Sequence, residues 1–176
     1  MRNHLVLPLL LLCAAPALAQ NPLDQLNKAA GEVKKAAGPE VTKEVEKQVN
    51  AKLTTEARKN QCSFKSDSDQ LAPGCDAKLK KLADALVDAK QKLTAAGVAA
   101  YKFEVSGHTD SSGKPEHNKE LSGKRAAVIA KELAKRGVPE KDIISIGMGS
   151  DRPLVTPDNT PAKKAKNRRY EIQVRL

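Results

Sequence analysis

Tyr101-Lys102-Phe103-Glu104-Val105-Ser106-Gly107-His108-Thr109-Asp110 is the stretch that decides the fold. Tyr101, Phe103 and Val105 alternate with Lys102, Glu104 and Ser106, the two-residue period of a strand with one apolar face. Gly107 to Asp110 then leads into a loop of serine, glycine and proline, the kind of segment that carries binding residues on a rigid frame.

Outward from this strand the pattern alternates between helix and strand. On the N-terminal side, residues 74–93 place Leu79, Leu82, Ala83, Leu86 and Leu93 on one helical face, with Gly97 at the C-terminal stop. Residues 61–65 predict a short strand before that helix. On the C-terminal side, residues 114–136 predict a second helix, with Pro115 in its first turn and Gly137 ending it. Ile144, Ile146 and Met148 predict another strand. Pro153, Pro157 and Pro161 punctuate a loop, and Thr160-Pro161 forms the N-cap and N1 pair of a short helical turn. Tyr170, Ile172, Val174 and Leu176 alternate strictly with charged or polar neighbours, giving the last strand. The expected class is α+β: a two-layer sandwich, β-α-β-α-β-(α)-β, with two long helices on one face of a small mixed sheet.

The N-terminal third is different. Arg2, the apolar run Leu5 to Leu12 and Ala17-Leu18-Ala19 predict a signal peptide over residues 1–19. It is too short for a transmembrane span, and no other segment is apolar enough for one. A lipoprotein signal using Cys13 is disfavoured because Leu12 stands where a small residue belongs. Residues 20–60 hold no aromatic residue; Val41, Val45, Val49 and Leu53 make a thin stripe, as in a solvated spacer helix or a site for an envelope protein partner. Residues 61–176 form the expected folded domain. After cleavage Cys62 and Cys75 remain, in a compartment that favours disulfides. A bridge closing about 14 residues would add on the order of 3 kcal/mol; a metal site or two unrelated buried thiols are the alternatives.

The formal net charge is +10, which suits nucleic acid, anionic lipid or an acidic polymer alike. Arg125 is more selective. Taking Leu121 as zero, Val128, Ile129 and Leu133 lie within about 120° on the second helix and Arg125 falls at about 40°, among them. A cation there needs a partner, and Asp110 on the preceding loop is the nearest candidate. A structural Asp–Arg bridge and a charge-lined ligand site are both open at this point.

Val105-Ser106-Gly107-His108-Thr109-Asp110, with Gly113, Asn118, Leu121-Ser122 and Arg125-Ala126, resembles the OmpA-like peptidoglycan-binding family. Gly147 and Gly149, Pro153, Asn159, Pro161 and Asn167-Arg168-Arg169 extend the resemblance in order and spacing. It implies a periplasmic protein that binds the diaminopimelate of the peptidoglycan stem peptide through Asp110 and Arg125. Thr109 and Asn118 are implied as further contacts. Of the arginine pair, Arg168 is the one expected to reach the site, because strand alternation sends Arg169 to the other face. Where relatives carry Phe-Asp-x-Asn this chain has Phe64-Lys65-Ser66-Asp67, so Asp67 is the expected replacement for the asparagine. No cofactor is implied.

Two other classes fit the residues less well. A catalytic or metal cluster of His108, Asp110 and His117, with Ser111 or Ser112 as nucleophile, matches no ligand spacing of an established enzyme motif. Nucleic-acid binding by the basic run 163–169 lacks the aromatic stacking platforms that single strands need. The expectation is therefore a non-enzymatic wall binder, with an envelope adaptor working through residues 20–60 as the alternative.

Overall fold

A computed structural model describes residues 38–176; the expected signal peptide and residues 20–37 lie outside them. Helix α1 spans Pro39–Lys59 and α2 spans Asp76–Ala95. Strand β1 (Lys102–His108) is followed by α3 (Pro115–Lys135), a 3-10 turn at Glu140–Asp142, β2 (Ile143–Gly149), α4 (Pro161–Asn167) and β3 (Tyr170–Arg175). The sheet order is β2-β1-β3, with β1 parallel to β2 and antiparallel to β3. This is the expected α+β class with a small mixed sheet. It differs in having three strands and a third long helix.

The missing strand and the extra helix have one cause. Asn50 of α1 pairs its side-chain amide with the backbone of Val174, donating from Nδ2 to the carbonyl at 3.2 Å and accepting from the N–H at 2.7 Å. Gln61 does the same at Tyr170, at 2.8 and 3.2 Å. Two side-chain amides thus stand in for a neighbouring strand along the outer edge of β3. Residues 61–65 cannot pair there, and keep only an isolated bridge between Phe64 and Leu71.

Helix α1 is consequently part of the core and not the solvated spacer its composition predicts. Val49, Leu53 and Ala57, four residues apart, are all buried, whereas Val41 is 52% exposed. They join Leu79, Leu82, Leu86 and Leu93 of α2 and Ile129 and Leu133 of α3 in one cluster with Phe103, Val105, Tyr170, Ile172 and Val174 of the sheet. The described residues belong to a single compact unit, so the domain boundary expected at residue 61 falls inside it. None of the described helices is long and apolar enough to cross a membrane.

Glycine decides how closely α3 approaches the sheet. A Cβ on Gly107 would lie 2.2 Å from the Ser122 carbonyl oxygen, and one on Gly147 would lie 2.3 Å from that of Lys119. Gly123, costly in a helix interior by about 1 kcal/mol, faces Gly147 across this contact. The buried Ser122 hydroxyl then accepts from the Gly149 N–H at 2.9 Å.

Cys62 and Cys75 are free, buried thiols in this structure, where a disulfide was expected. The Cys62 Sγ donates instead to the Cys75 carbonyl oxygen, 3.9 Å away.

Leu53→Ala should cost about 2–5 kcal/mol in urea unfolding, the usual range for emptying a fully buried leucine site. A chain beginning at Asn60 should lose cooperative unfolding, since it loses the buried face of α1 and, with Asn50, half of the cover of the β3 edge. Unchanged stability of that truncated chain would restore the spacer.

Candidate functional site

β1 delivers the site residues by continuing its bonding at its C-terminal end with both neighbouring strands. The His108 N–H donates to the Arg169 carbonyl at 2.8 Å and the Thr109 N–H to the Gly149 carbonyl at 2.9 Å. Asp110 follows at the rim of a cleft of about 1100 Å³, lined also by Phe64, His117, Asn118, Arg125 and Arg168.

The Asp110 carboxylate, 11% exposed, accepts from Arg168 Nη1 at 2.8 Å on Oδ2. Its Oδ1 accepts from the Ser112 N–H at 2.9 Å. Burial acts to raise the Asp110 carboxyl; the Arg168 pair and the Ser112 contacts outweigh it and hold the group below its ordinary value.

Arg125 was expected to pair with Asp110, and it does not. Its Nε donates to the Ser68 carbonyl at 2.8 Å and its Nη2 to the Lys65 carbonyl at 3.3 Å. The guanidinium carbon stands 5.1 Å from the centre of the Phe64 ring, within cation–π range. Neither hydrogen bond uses Nη1. Arg168 takes the carboxylate because the end of α4 and the start of β3 bring it there directly. Burial, then the nearby Arg168 charge, lowers the Arg125 pKa against the pull of Asp67, Asp110 and Asp69. The outcome is that Asp110 and Arg168 are paired with each other while Arg125, lining the same cleft, is held by neutral oxygens and an aromatic face.

The other expected contacts are distributed unevenly. Asn118 spends its Nδ2 on the loop, donating to the carbonyls of Ser112 at 2.8 Å and Asp110 at 3.4 Å; its Oδ1 takes part in neither bond. Thr109 Oγ1 is buried and has no hydrogen-bond partner. Asp67, at φ +47, also lines the cleft and meets His117 Nε2 at 2.7 Å. Arg169 leaves the carboxylate to Arg168 and turns to Glu171, 2.7 Å away.

Two residues whose roles are invisible in the sequence hold the loops together. Asp158 accepts from the Ser111 N–H at 2.9 Å, from the Ser111 hydroxyl and from Asn167 Nδ2 at 2.9 Å. These bonds hold its carboxyl down to about 2. Asn167 Oδ1 in turn accepts from the N–H groups of Leu154 and Val155. The metal or acid–base cluster weighed for His108, Asp110 and His117 does not assemble. Asp110 pairs with Arg168 and His117 with Asp67, and His108 lies nearest Glu171, at 3.8 Å. Among the described residues no group of three or more His, Cys, Asp or Glu is placed to hold a metal.

Residues 63–168 match the OmpA family. Outer membrane porin F of Pseudomonas fluorescens is 37% identical over 112 residues, which are 63% of this chain and 31% of that protein. The peptidoglycan-binding protein ArfA of Mycobacterium bovis is 36% identical over 112 residues, 64% of this chain and 31% of its own. The alignment thus spans under a third of the length of these curated relatives. The crystal structure of the peptidoglycan-associated lipoprotein from Burkholderia pseudomallei superposes with a TM-score of 0.51 at 25% identity, covering 64% of this chain and 86% of that one.

His108 is 3% exposed and neither ring nitrogen has a hydrogen-bond partner. Burial, then the charge of Arg169, lowers its pKa from 6.5 to about 4, against the opposing pull of Glu171. Between these values the unfolded chain binds a proton that the folded chain refuses, so stability is complete above about pH 6.5 and falls as pH drops toward 4. Urea unfolding at pH 7 and pH 4.5 should differ by on the order of 2–3 kcal/mol, and His108→Asn should flatten that difference. An equal pH dependence in wild type and variant would rule out His108 as its source.

Proposed function

The chain belongs to the OmpA family, and on that premise we propose that its folded domain binds peptidoglycan non-covalently in the bacterial envelope, through the diaminopimelate of the stem peptide. The observation that carries the proposal is the largely buried Asp110 carboxylate facing the same cleft as Arg125 and Arg168.

Diaminopimelate offers an ammonium and a carboxylate on one carbon. A carboxylate that still has lone pairs, beside a guanidinium with a free edge, matches that centre in charge and in fork geometry. Asp110 accepts the ammonium while keeping Arg168, and Arg125 turns Nη1 to the ligand carboxylate. Thr109 Oγ1, buried without a partner, supplies a neutral contact beside them. Asn118 contributes through Oδ1, its nitrogen being bound to the loop. A relative that is itself named a peptidoglycan-binding protein supports the polymer as ligand.

The same proposal makes the domain a binder and not a catalyst, a reading supported by Ser111 bonding to Asp158, Ser112 Oγ to Lys164 and His117 to Asp67. It places the protein in the periplasm, at the wall or the outer membrane. The adaptor alternative is weakened by the packing of α1, which spends Val49, Leu53 and Ala57 on its own domain.

Arg125→Ala should weaken pull-down on purified sacculi by tenfold or more, the loss of one partner of a desolvated charge pair costing about 2–5 kcal/mol. Asp110→Ala should do the same, while the half-exposed Arg168 regains water and the melting temperature changes little. Arg125→Lys should recover little binding, and free diaminopimelate should compete with the wild type. Folded variants that bind sacculi as well as the wild type would overturn the site; retained binding that diaminopimelate cannot displace would overturn the ligand.

A further inference from the structure

Arg125 owes its position to a short hairpin. The Phe64–Leu71 bridge is flanked by the Lys65 N–H donating to the Gln70 carbonyl and the Ala72 N–H donating to the Ser63 carbonyl, both at 2.9 Å. The hairpin supplies the Lys65 and Ser68 carbonyls and the Phe64 ring to Arg125, and Asp67 to His117. At the base of this hairpin, where the chain leaves α1 and enters α2, stand Cys62 and Cys75. Each is 7% exposed, and the Cys62 Sγ lies against the Cys75 backbone. The Cys62 N–H is fixed to the Tyr170 hydroxyl at 3.2 Å, so one side of the base is anchored to β3.

We propose that Cys62 and Cys75 form a dithiol–disulfide couple whose oxidation closes the base of this hairpin and fixes the hairpin that positions Arg125 for its ligand. The positioning half rests on the peptidoglycan reading of the cleft; the couple itself does not. The oxidant is a disulfide donor. One cysteine thiolate attacks a donor sulfur to give a mixed disulfide and release one donor thiol. The second thiolate then displaces the other, so two protons and two electrons pass from the cysteines to the donor.

The timing follows from burial. Burial, then the neighbouring Cys75, pushes the Cys62 thiol up to about 12, and a neutral thiol is a poor nucleophile. The bond therefore forms while the chain is unfolded, and the folded domain protects whichever state it contains. Arg125 is a positioned residue here and the cysteines act only through it.

The test is to refold the denatured, reduced chain, as wild type and as Arg125→Ala, with either glutathione disulfide or excess dithiothreitol. Alkylation and peptide mass spectrometry should find Cys62 and Cys75 unlabelled in the glutathione-refolded chain and joined, two hydrogens lighter than the reduced pair. Its melting temperature should rise by on the order of 10 °C. Sacculus binding of the oxidised wild type should exceed that of the reduced form by about threefold or more, and the same oxidation should leave the residual binding of Arg125→Ala unaltered. A Cys62→Ser, Cys75→Ser double variant should match the reduced wild type. Free thiols at both Cys62 and Cys75 after refolding with glutathione disulfide would overturn the couple. A disulfide that forms yet leaves wild-type binding unaltered would overturn the positioning. A disulfide-containing wild type that binds no sacculi would overturn the peptidoglycan reading and leave the couple standing.

Discussion

Helix α3 rests backbone to backbone on β1 and β2, and the site is a consequence of that approach. Gly107 and Gly147 leave no room for a Cβ beneath Ser122 and Lys119. Because the helix sits this low, Ser122 reaches the Gly149 N–H and Asn118 reaches the carbonyls of the 110–112 loop. Arg125, one turn further along, is brought to the cleft floored by the ends of the strands. A methyl group at either glycine would have to lift the helix, and every polar contact made from it would lengthen.

The polar groups around the cleft divide into those that brace and those that remain available. Asp158 and Asn167 are buried and consumed by their loops, each with several short hydrogen bonds. Asp110 is braced by Ser112 and Arg168 but keeps acceptor capacity, and Arg125 is braced by carbonyl oxygens that leave its charge uncompensated. Asp110 is therefore neutralised by Arg168, whereas Arg125 is held by backbone oxygens and an aromatic face, an arrangement that half-buried surroundings make costly for a lone cation. The Thr109 hydroxyl stands apart from both, buried and without a partner.

The sheet edge is managed by side chains. An exposed β3 edge would invite pairing with another chain. Asn50 and Gln61 cover it with amides that reproduce the two-bond pattern of a neighbouring strand. The cover depends on α1, which explains why a helix with so thin an apolar stripe is nonetheless fixed to the domain.

The alternation at Phe103 and Val105, the alternation from Tyr170 to Val174 and the helical three- and four-residue spacing in α2 were legible because periodicity reports local geometry directly. The loop carrying Asp110 and the out-of-place Arg125 were legible for a related reason: a cation among apolar positions must be held by something. Which group holds it was not. The partner of Asp110 proved to be Arg168, 58 residues away in sequence, and those of Arg125 proved to be backbone oxygens, which leave no trace in residue identity. The spacer reading of α1 failed likewise, because an asparagine and a glutamine bonded to a strand edge look like any other polar residues until the strand stands opposite them. The sequence by itself determined the class of fold, the order of its main elements and the segments that would carry charge to the site. Tertiary structure alone decided the pairing of those charges and the fate of the sheet edge, because both depend on contacts between residues far apart in the chain.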